Sequence, residues 1–104
     1  MEFGLNQHII EQLNTIFSKH KQIQKVVVYG SRAKGNYKPH SDIDLSIFGE
    51  DITLTALQKI ELELDDLLLP YKIDISIFNQ IDNEALKEHI IRIGKIFYKK
   101  KINK

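Results

Sequence analysis

Cysteine is absent from this chain of 104 residues, which excludes disulfides and thiolate metal sites and fits a reducing compartment. An excess of charge of one sign is nearly missing too. The 15 Lys and Arg against 14 Asp and Glu leave a formal net charge of +1, so neither nucleic acid nor a membrane surface is expected as a direct partner. No apolar run approaches the roughly 20 residues of a membrane span. The opening Met1-Glu2-Phe3-Gly4-Leu5-Asn6 lacks the basic region and apolar core of a signal peptide. A cytoplasmic location is therefore expected. Linkers and low-complexity tracts are also missing, and the length suits one domain rather than two. Residues 1–104 are expected to form that single domain.

Against this plain background, three aspartates stand out. Asp42 and Asp44 lie in Ser41-Asp42-Ile43-Asp44-Leu45-Ser46-Ile47-Phe48, and Asp74 lies in Lys72-Ile73-Asp74-Ile75-Ser76-Ile77-Phe78. Both segments alternate apolar and polar residues with period two, the pattern of half-buried strands. Side chains two apart on a strand share a face. If the isoleucine faces cover one core, all three carboxylates project from the other side of the sheet. Crowded carboxylates repel unless a proton or cation intervenes, and an oxygen-only cluster suits Mg²⁺. The plainer alternative is a solvated sheet face. Aspartate is depleted in strands, however, and three with matching parity favour metal binding.

The rest of the chain reads as helices between strands. Leu5, Ile9, Ile10, Leu13, Ile16 and Phe17 have helical spacing over residues 5–19. Lys25 to Tyr29 is a β-branched, buried strand ending at Gly30. Gly35, Asn36 and Pro39 mark a loop over residues 31–40, after at most one helical turn. The first aspartate strand covers about residues 43–48. Leu54, Leu57, Ile60, Leu64, Leu67 and Leu68 form a second helix that cannot pass Pro70, with Leu67-Leu68-Leu69 assigned to the core or, for part of it, to a partner-facing surface. The second aspartate strand covers about residues 72–78. Ala85, Leu86, His89, Ile90 and Ile93 give a third helix with Gly94 as C-cap. Lys95 to Tyr98 makes an edge strand, and Lys99 to Lys104 a solvated tail. The order α-β-β-α-β-α-β predicts an α/β (α+β) fold: a small mixed sheet with helices packed on one face and the aspartates on the opposite, partly open one. His8, His20 and His89 lack metal-ligand spacing and are expected at helix surfaces. His40 is expected on an exposed loop, and Tyr37 packed within it.

Gly30-Ser31-Arg32-Ala33-Lys34-Gly35 follows the valine strand directly. A glycine at a strand end lets backbone approach a ligand, and amides opening a helical turn can hold phosphate. The Ser31 hydroxyl adds a donor, and Arg32 and Lys34 add charge. The stretch is not a Walker A loop, because Gly35 is followed by Asn36 and Tyr37 rather than Lys-Ser/Thr.

The combination of Gly30-Ser31, the ten residues Arg32 to Ser41, Asp42-Ile43-Asp44 on a strand and Asp74 on a later strand resembles the DNA polymerase β-type nucleotidyltransferase superfamily. Within it the chain is similar to the minimal nucleotidyltransferase (MNT) antitoxins of HEPN/MNT toxin–antitoxin systems. The resemblance spans roughly residues 5–98 and includes Tyr29 to Gly35 and Leu69 to Asp74. Lys34 departs from the arginine of many relatives, which loses a planar fork for phosphate. The resemblance implies a nucleotidyltransferase fold and a Mg²⁺-dependent adenylyl transfer from ATP. It assigns Asp42 and Asp44 to two metal ions, and Asp74 to the ion carrying the acceptor hydroxyl. By the same resemblance Gly30, Ser31 and Arg32 are expected to bind the triphosphate. It also implies a HEPN RNase toxin as partner, held in a hetero-oligomer, with a toxin tyrosine as the acceptor of AMP. The alternative within the same fold is a non-catalytic antitoxin that masks its toxin by contact. A small-molecule nucleotidyltransferase would need an acceptor pocket that so short a chain can hardly build.

Overall fold

The structure is a computed structural model that describes residues 2–101. Its elements run α1 (Gln7–Ser18), β1 (Ile23–Tyr29), α2 (Gly30–Lys34), β2 (Ile43–Gly49), α3 (Leu54–Asp65), β3 (Ile73–Ile77), a 3₁₀ turn (Phe78–Gln80), α4 (Glu84–Ile93) and β4 (Lys95–Lys99). Every expected helix and strand is present, and the single turn anticipated after Gly30 is α2. Lys99, expected to open the tail, instead closes β4; residues 102–104 of that tail lie outside the described residues. Among the described residues, no helix is long and apolar enough to cross a membrane.

The sheet has the order β3-β2-β1-β4. β1 pairs antiparallel with β2 and with β4, and β2 pairs parallel with β3. The parallel pair requires a crossover, which α3 supplies. Side-chain caps set the helix starts: Asn6 Oδ1 accepts from Ile9 N–H at 2.9 Å, and Thr53 Oγ1 from Ala56 N–H at 3.1 Å. One sheet face carries Val26, Val28, Ile43, Leu45, Ile47, Ile75 and Ile77 into the main core, against Leu13 and Phe17 of α1 and Ile60 and Leu64 of α3. His20, expected at a helix surface, instead lies part-buried in the loop after α1, where its Nε2 is hydrogen-bonded to Glu63 Oε1 of α3 at 2.7 Å.

The helices were expected on one face only, but the second face also carries one, because Ile90 and Leu86 give α4 an apolar stripe to bury. Val27 and Tyr29 of β1 form a smaller cluster with Ile90 of α4, flanked by Phe48, Phe78 and Leu86. The Phe48 and Phe78 rings stack at 4.4 Å. Thus α1 and α3 cover one face, α4 covers part of the other, and the corner holding the aspartates stays accessible. Two further details depart from expectation. Leu68, assigned to the core, is 89% exposed with φ 53°, whereas Leu67 and Leu69 pack inward; α3 has already ended at Asp65, so its apolar stripe no longer governs Leu68. Gly94 does cap α4, with its N–H donating to Ile90 O at 2.9 Å, but its φ of −58° is not left-handed. Glycine is required there by close approach, since a Cβ would collide with Ile90 O and Val27 Cγ1.

Arg32, expected to contact phosphate, is a structural residue instead. It is 2% exposed. Its Nε and Nη2 donate to Ser41 O at 3.2 and 2.8 Å, and its Nη1 donates to Phe3 O at 2.9 Å. Its guanidinium lies 5.3 Å from the Tyr37 ring and 4.9 Å from the Tyr71 ring. Each of its three nitrogens donates to a backbone carbonyl and its plane is covered on two sides, so its surroundings hold it as a tie within the fold. It ties the N-terminal segment, α2 and the approaches to β2 and β3 into one block. Arg32→Ala would remove three hydrogen bonds to part-buried carbonyls and open a hole at a buried position, and should cost about 2–4 kcal/mol in chemical denaturation. Arg32→Lys should recover less than half of that, because an ammonium cannot reproduce the fork.

Candidate active site

The register of the sheet places the site residues. Across the second face, Tyr29 is opposite Asp44, and Asp44 is opposite Asp74; one step along, Val27 is opposite Ser46, and Ser46 opposite Ser76. Tyr29, Asp44 and Asp74 therefore form one rung at the end of the sheet. Below it, Ser76 Oγ donates to Ser46 Oγ at 3.2 Å, which satisfies two hydroxyls in the partly covered middle of the face. Asp44 is half-buried, while Asp42 and Asp74 are exposed. Asp44 and Asp74 thus lie on the face away from the main core, as the alternation predicts, while Asp42 precedes β2.

The electrostatics follow from this arrangement. Burial pushes the Asp44 carboxyl above the usual aspartate range, and the Asp74 and Asp42 carboxylates push it further in the same direction. His89 and Arg32 offset part of that rise. Burial also raises the Tyr29 phenol, reinforced by Asp74 and Asp44, with the Ser76 side chain acting in opposition. Burial leads both shifts, and the neighbouring carboxylates add negative charge that a divalent cation would relieve. The donor set is all oxygen and fits a hard cation. Among the described residues, however, no three acidic, histidine or cysteine side chains gather into a ready-made metal cage. The carboxylates share an edge and a field rather than a closed coordination shell.

Gly30 adjoins the rung. Its φ is +71°, and a Cβ would stand 2.5 Å from Asp44 Oδ2, so both backbone conformation and space demand glycine. Its N–H donates to His89 Nε2 at 3.3 Å. Of the first-turn amides of α2, those of Ser31 and Arg32 lack an intrahelical acceptor by helix geometry. Ser31 is half-buried on this turn. Lys34 and His40 are exposed, and Tyr37 packs on Arg32. His89 was expected at a helix surface and is instead half-buried beside the rung, with its ring edge-on to Tyr29 at 6.0 Å. The signal was present: His89 occupies the apolar stripe of its helix, a position that a merely solvated histidine has no reason to hold.

Comparison with known proteins places the chain in a family and a fold. The family model described as "Polymerase beta, Nucleotidyltransferase" matches residues 11–103. Two proteins of Methanocaldococcus jannaschii, both named provisionally as protein adenylyltransferases, are similar in sequence. One is 28% identical over 94 residues, covering 86% of this chain and 94% of the relative. The other is 35% identical over 89 residues, covering 78% and 90%. Among solved structures, a chain of a toxin–antitoxin complex with AMP-PNP matches with TM-score 0.70 at 21% identity, covering 92% of this chain and 75% of that one. A chain of a complex between a tri-AMPylated Shewanella oneidensis HEPN toxin and an MNT antitoxin matches with TM-score 0.60 at 18% identity, covering 89% and 68%. These structural likenesses establish the shared fold.

An aspartate whose folded pKa is raised binds its proton more tightly folded than unfolded, so its stability penalty grows as pH rises from the unfolded value near 4. Asp44→Asn should therefore raise the melting temperature at pH 7. The gain should shrink as pH falls toward 4, which a series of thermal melts in metal-free buffer would show.

Proposed function

This chain belongs to the polymerase beta nucleotidyltransferase family, and from that premise we propose that it is a Mg²⁺-dependent protein adenylyltransferase acting as the antitoxin of a HEPN-type toxin. The observation that carries the reading is the Asp44–Asp74 rung set against a Gly30 that leaves room for nothing larger than hydrogen. The relatives named as adenylyltransferases support the reaction, and the toxin–antitoxin complexes support the partner. In this reading residues 1–104 act as one minimal nucleotidyltransferase unit.

ATP would lie with its triphosphate against Ser31 and the free amides of α2. Asp42 and Asp44 would hold two Mg²⁺ ions, with Asp74 a ligand of one of them. When bound, such an ion pair stabilises the charge on the attacking and leaving oxygens. A hydroxyl of the partner, for which a tyrosine is the expected acceptor, attacks the α-phosphorus. The bond to the bridging oxygen breaks, diphosphate leaves, and AMP remains esterified to the acceptor. Asp74 is exposed on the edge strand β3, where an acceptor can approach from outside; its carboxylate takes the hydroxyl proton. Asp44, half-buried and flanked by both other carboxylates, would serve as a metal ligand rather than a base.

Incubation with the cognate toxin, ATP and Mg²⁺ should add one or more AMP masses to the toxin by intact mass spectrometry. Asp42→Ala with Asp44→Ala should abolish the shift, lowering the rate by at least about 10³-fold, and should also abolish rescue from toxicity. Rescue that persists undiminished in the double variant would favour masking by contact.

A further inference from the structure

We propose that His89 is a positioning residue for the nucleotide loop, fixing the Tyr29–Gly30 peptide so that the Ser31 end of the loop faces the triphosphate. The inference rests on the nucleotidyl-transfer reading and adds a residue to it from a helix that carries no aspartate of the site.

The need for such a residue arises at Gly30. Its positive φ and its closeness to Asp44 exclude any side chain, so the turn has no side chain of its own to hold it, and glycine is the most conformationally free residue. Its N–H opens α2 and has no acceptor within that helix. His89, distant in sequence, supplies one at 3.3 Å. The imidazole is itself braced, because the Tyr29 ring meets it edge-on at 6.0 Å and 81°. Next to it in α4, Ile90 is buried in the cluster with Val27 and Tyr29, which anchors the helix. Tyr29 in turn is paired across the sheet with Asp44. One connected unit therefore joins the loop, the carboxylate rung and α4.

The same geometry defines what His89 does not do. Accepting from an amide requires a lone pair on Nε2, so that nitrogen is unavailable to a metal ion, and the ring proton sits on Nδ1. His89 acts through Gly30 and not on the nucleotide. Removing the acceptor while keeping the ring should loosen nucleotide binding without dismantling the sheet.

Two variants separate acceptor from ring. His89→Phe keeps an aromatic ring against Tyr29 and lacks the acceptor; His89→Gln places an amide oxygen at similar reach. AMP-PNP with Mg²⁺ would be titrated calorimetrically into the full chain and into each variant, with melting curves as the check on folding. Hydrogen exchange of the Gly30 amide would be followed by ¹⁵N NMR. The expected result is a Gly30 amide protected in the wild type, and AMP-PNP binding weakened about three- to tenfold in H89F but by less than about twofold in H89Q. Equal binding by H89F and wild type would overturn the proposal. So would an equal loss in both variants, or a wild-type Gly30 amide that exchanges as fast as an unprotected one, which needs no variant at all. A wild-type chain that binds no AMP-PNP would instead overturn the nucleotidyl-transfer reading, with the Gly30 exchange still reporting on the hydrogen bond.

Discussion

Two carboxylates face each other across neighbouring parallel strands, Asp44 on β2 and Asp74 on β3, and the protein has to hold them there against their own repulsion. Like charges directly opposite in a sheet destabilise it by up to about 1 kcal/mol. What holds them is the other side of the same strands. Ile43, Leu45, Ile47, Ile75 and Ile77 are buried in the main core, and burying one such side chain fully is worth about 1.5–3 kcal/mol. A slip of one residue would move the aspartates into that core and the isoleucines out of it. The register is thus set by hydrophobic burial, and concentrated negative charge is its consequence. Folding prepares a place where a cation or an acid proton is favoured.

The block around this rung is held from two directions. Arg32 fastens the N-terminal segment, α2 and the entry to β2 by hydrogen bonds to Phe3 O and Ser41 O, and Ser41 immediately precedes Asp42. His89 fastens the opposite flank through the Gly30 amide. Neither residue needs to touch a substrate to matter. Both set where Gly30, Ser31 and Asp42 sit relative to Asp44, and Arg32 also offsets part of the raised pKa of Asp44. A site whose reactive groups are acidic and whose supports are basic keeps its carboxylates available without a permanent ion pair to neutralise them.

Most of this frame was legible from residue pattern alone. Alternation named both aspartate strands and their inner faces, because a strand half-buried on one side must alternate. The helices at Leu54 and Glu84 were legible from their apolar spacing. Three features were not legible, each for a physical reason. Arg32 looked like a phosphate ligand because a basic residue after Gly-Ser is ambiguous until the acceptors around it are known, and Phe3 and Ser41 reach it only through tertiary folding. His89 was discounted because its partner lies 59 residues away along the chain and metal-ligand spacing is the wrong test for a hydrogen-bond acceptor. Leu68 looked like core because the leucine run continues past the point where α3 stops, and a stripe has meaning only while the helix lasts.

The central claim is that the rung at Tyr29, Asp44 and Asp74 is where divalent ions and nucleotide meet. Mn²⁺ is a paramagnetic substitute for Mg²⁺ and broadens NMR signals close to where it binds. Trace Mn²⁺ added to the ¹⁵N-labelled chain with AMP-PNP should selectively broaden the amides of Tyr29, Gly30, Ser31, Asp42, Asp44 and Asp74. Broadening spread evenly over the exposed acidic residues of α3, with Asp44 and Asp74 no more affected than they are, would contradict the account.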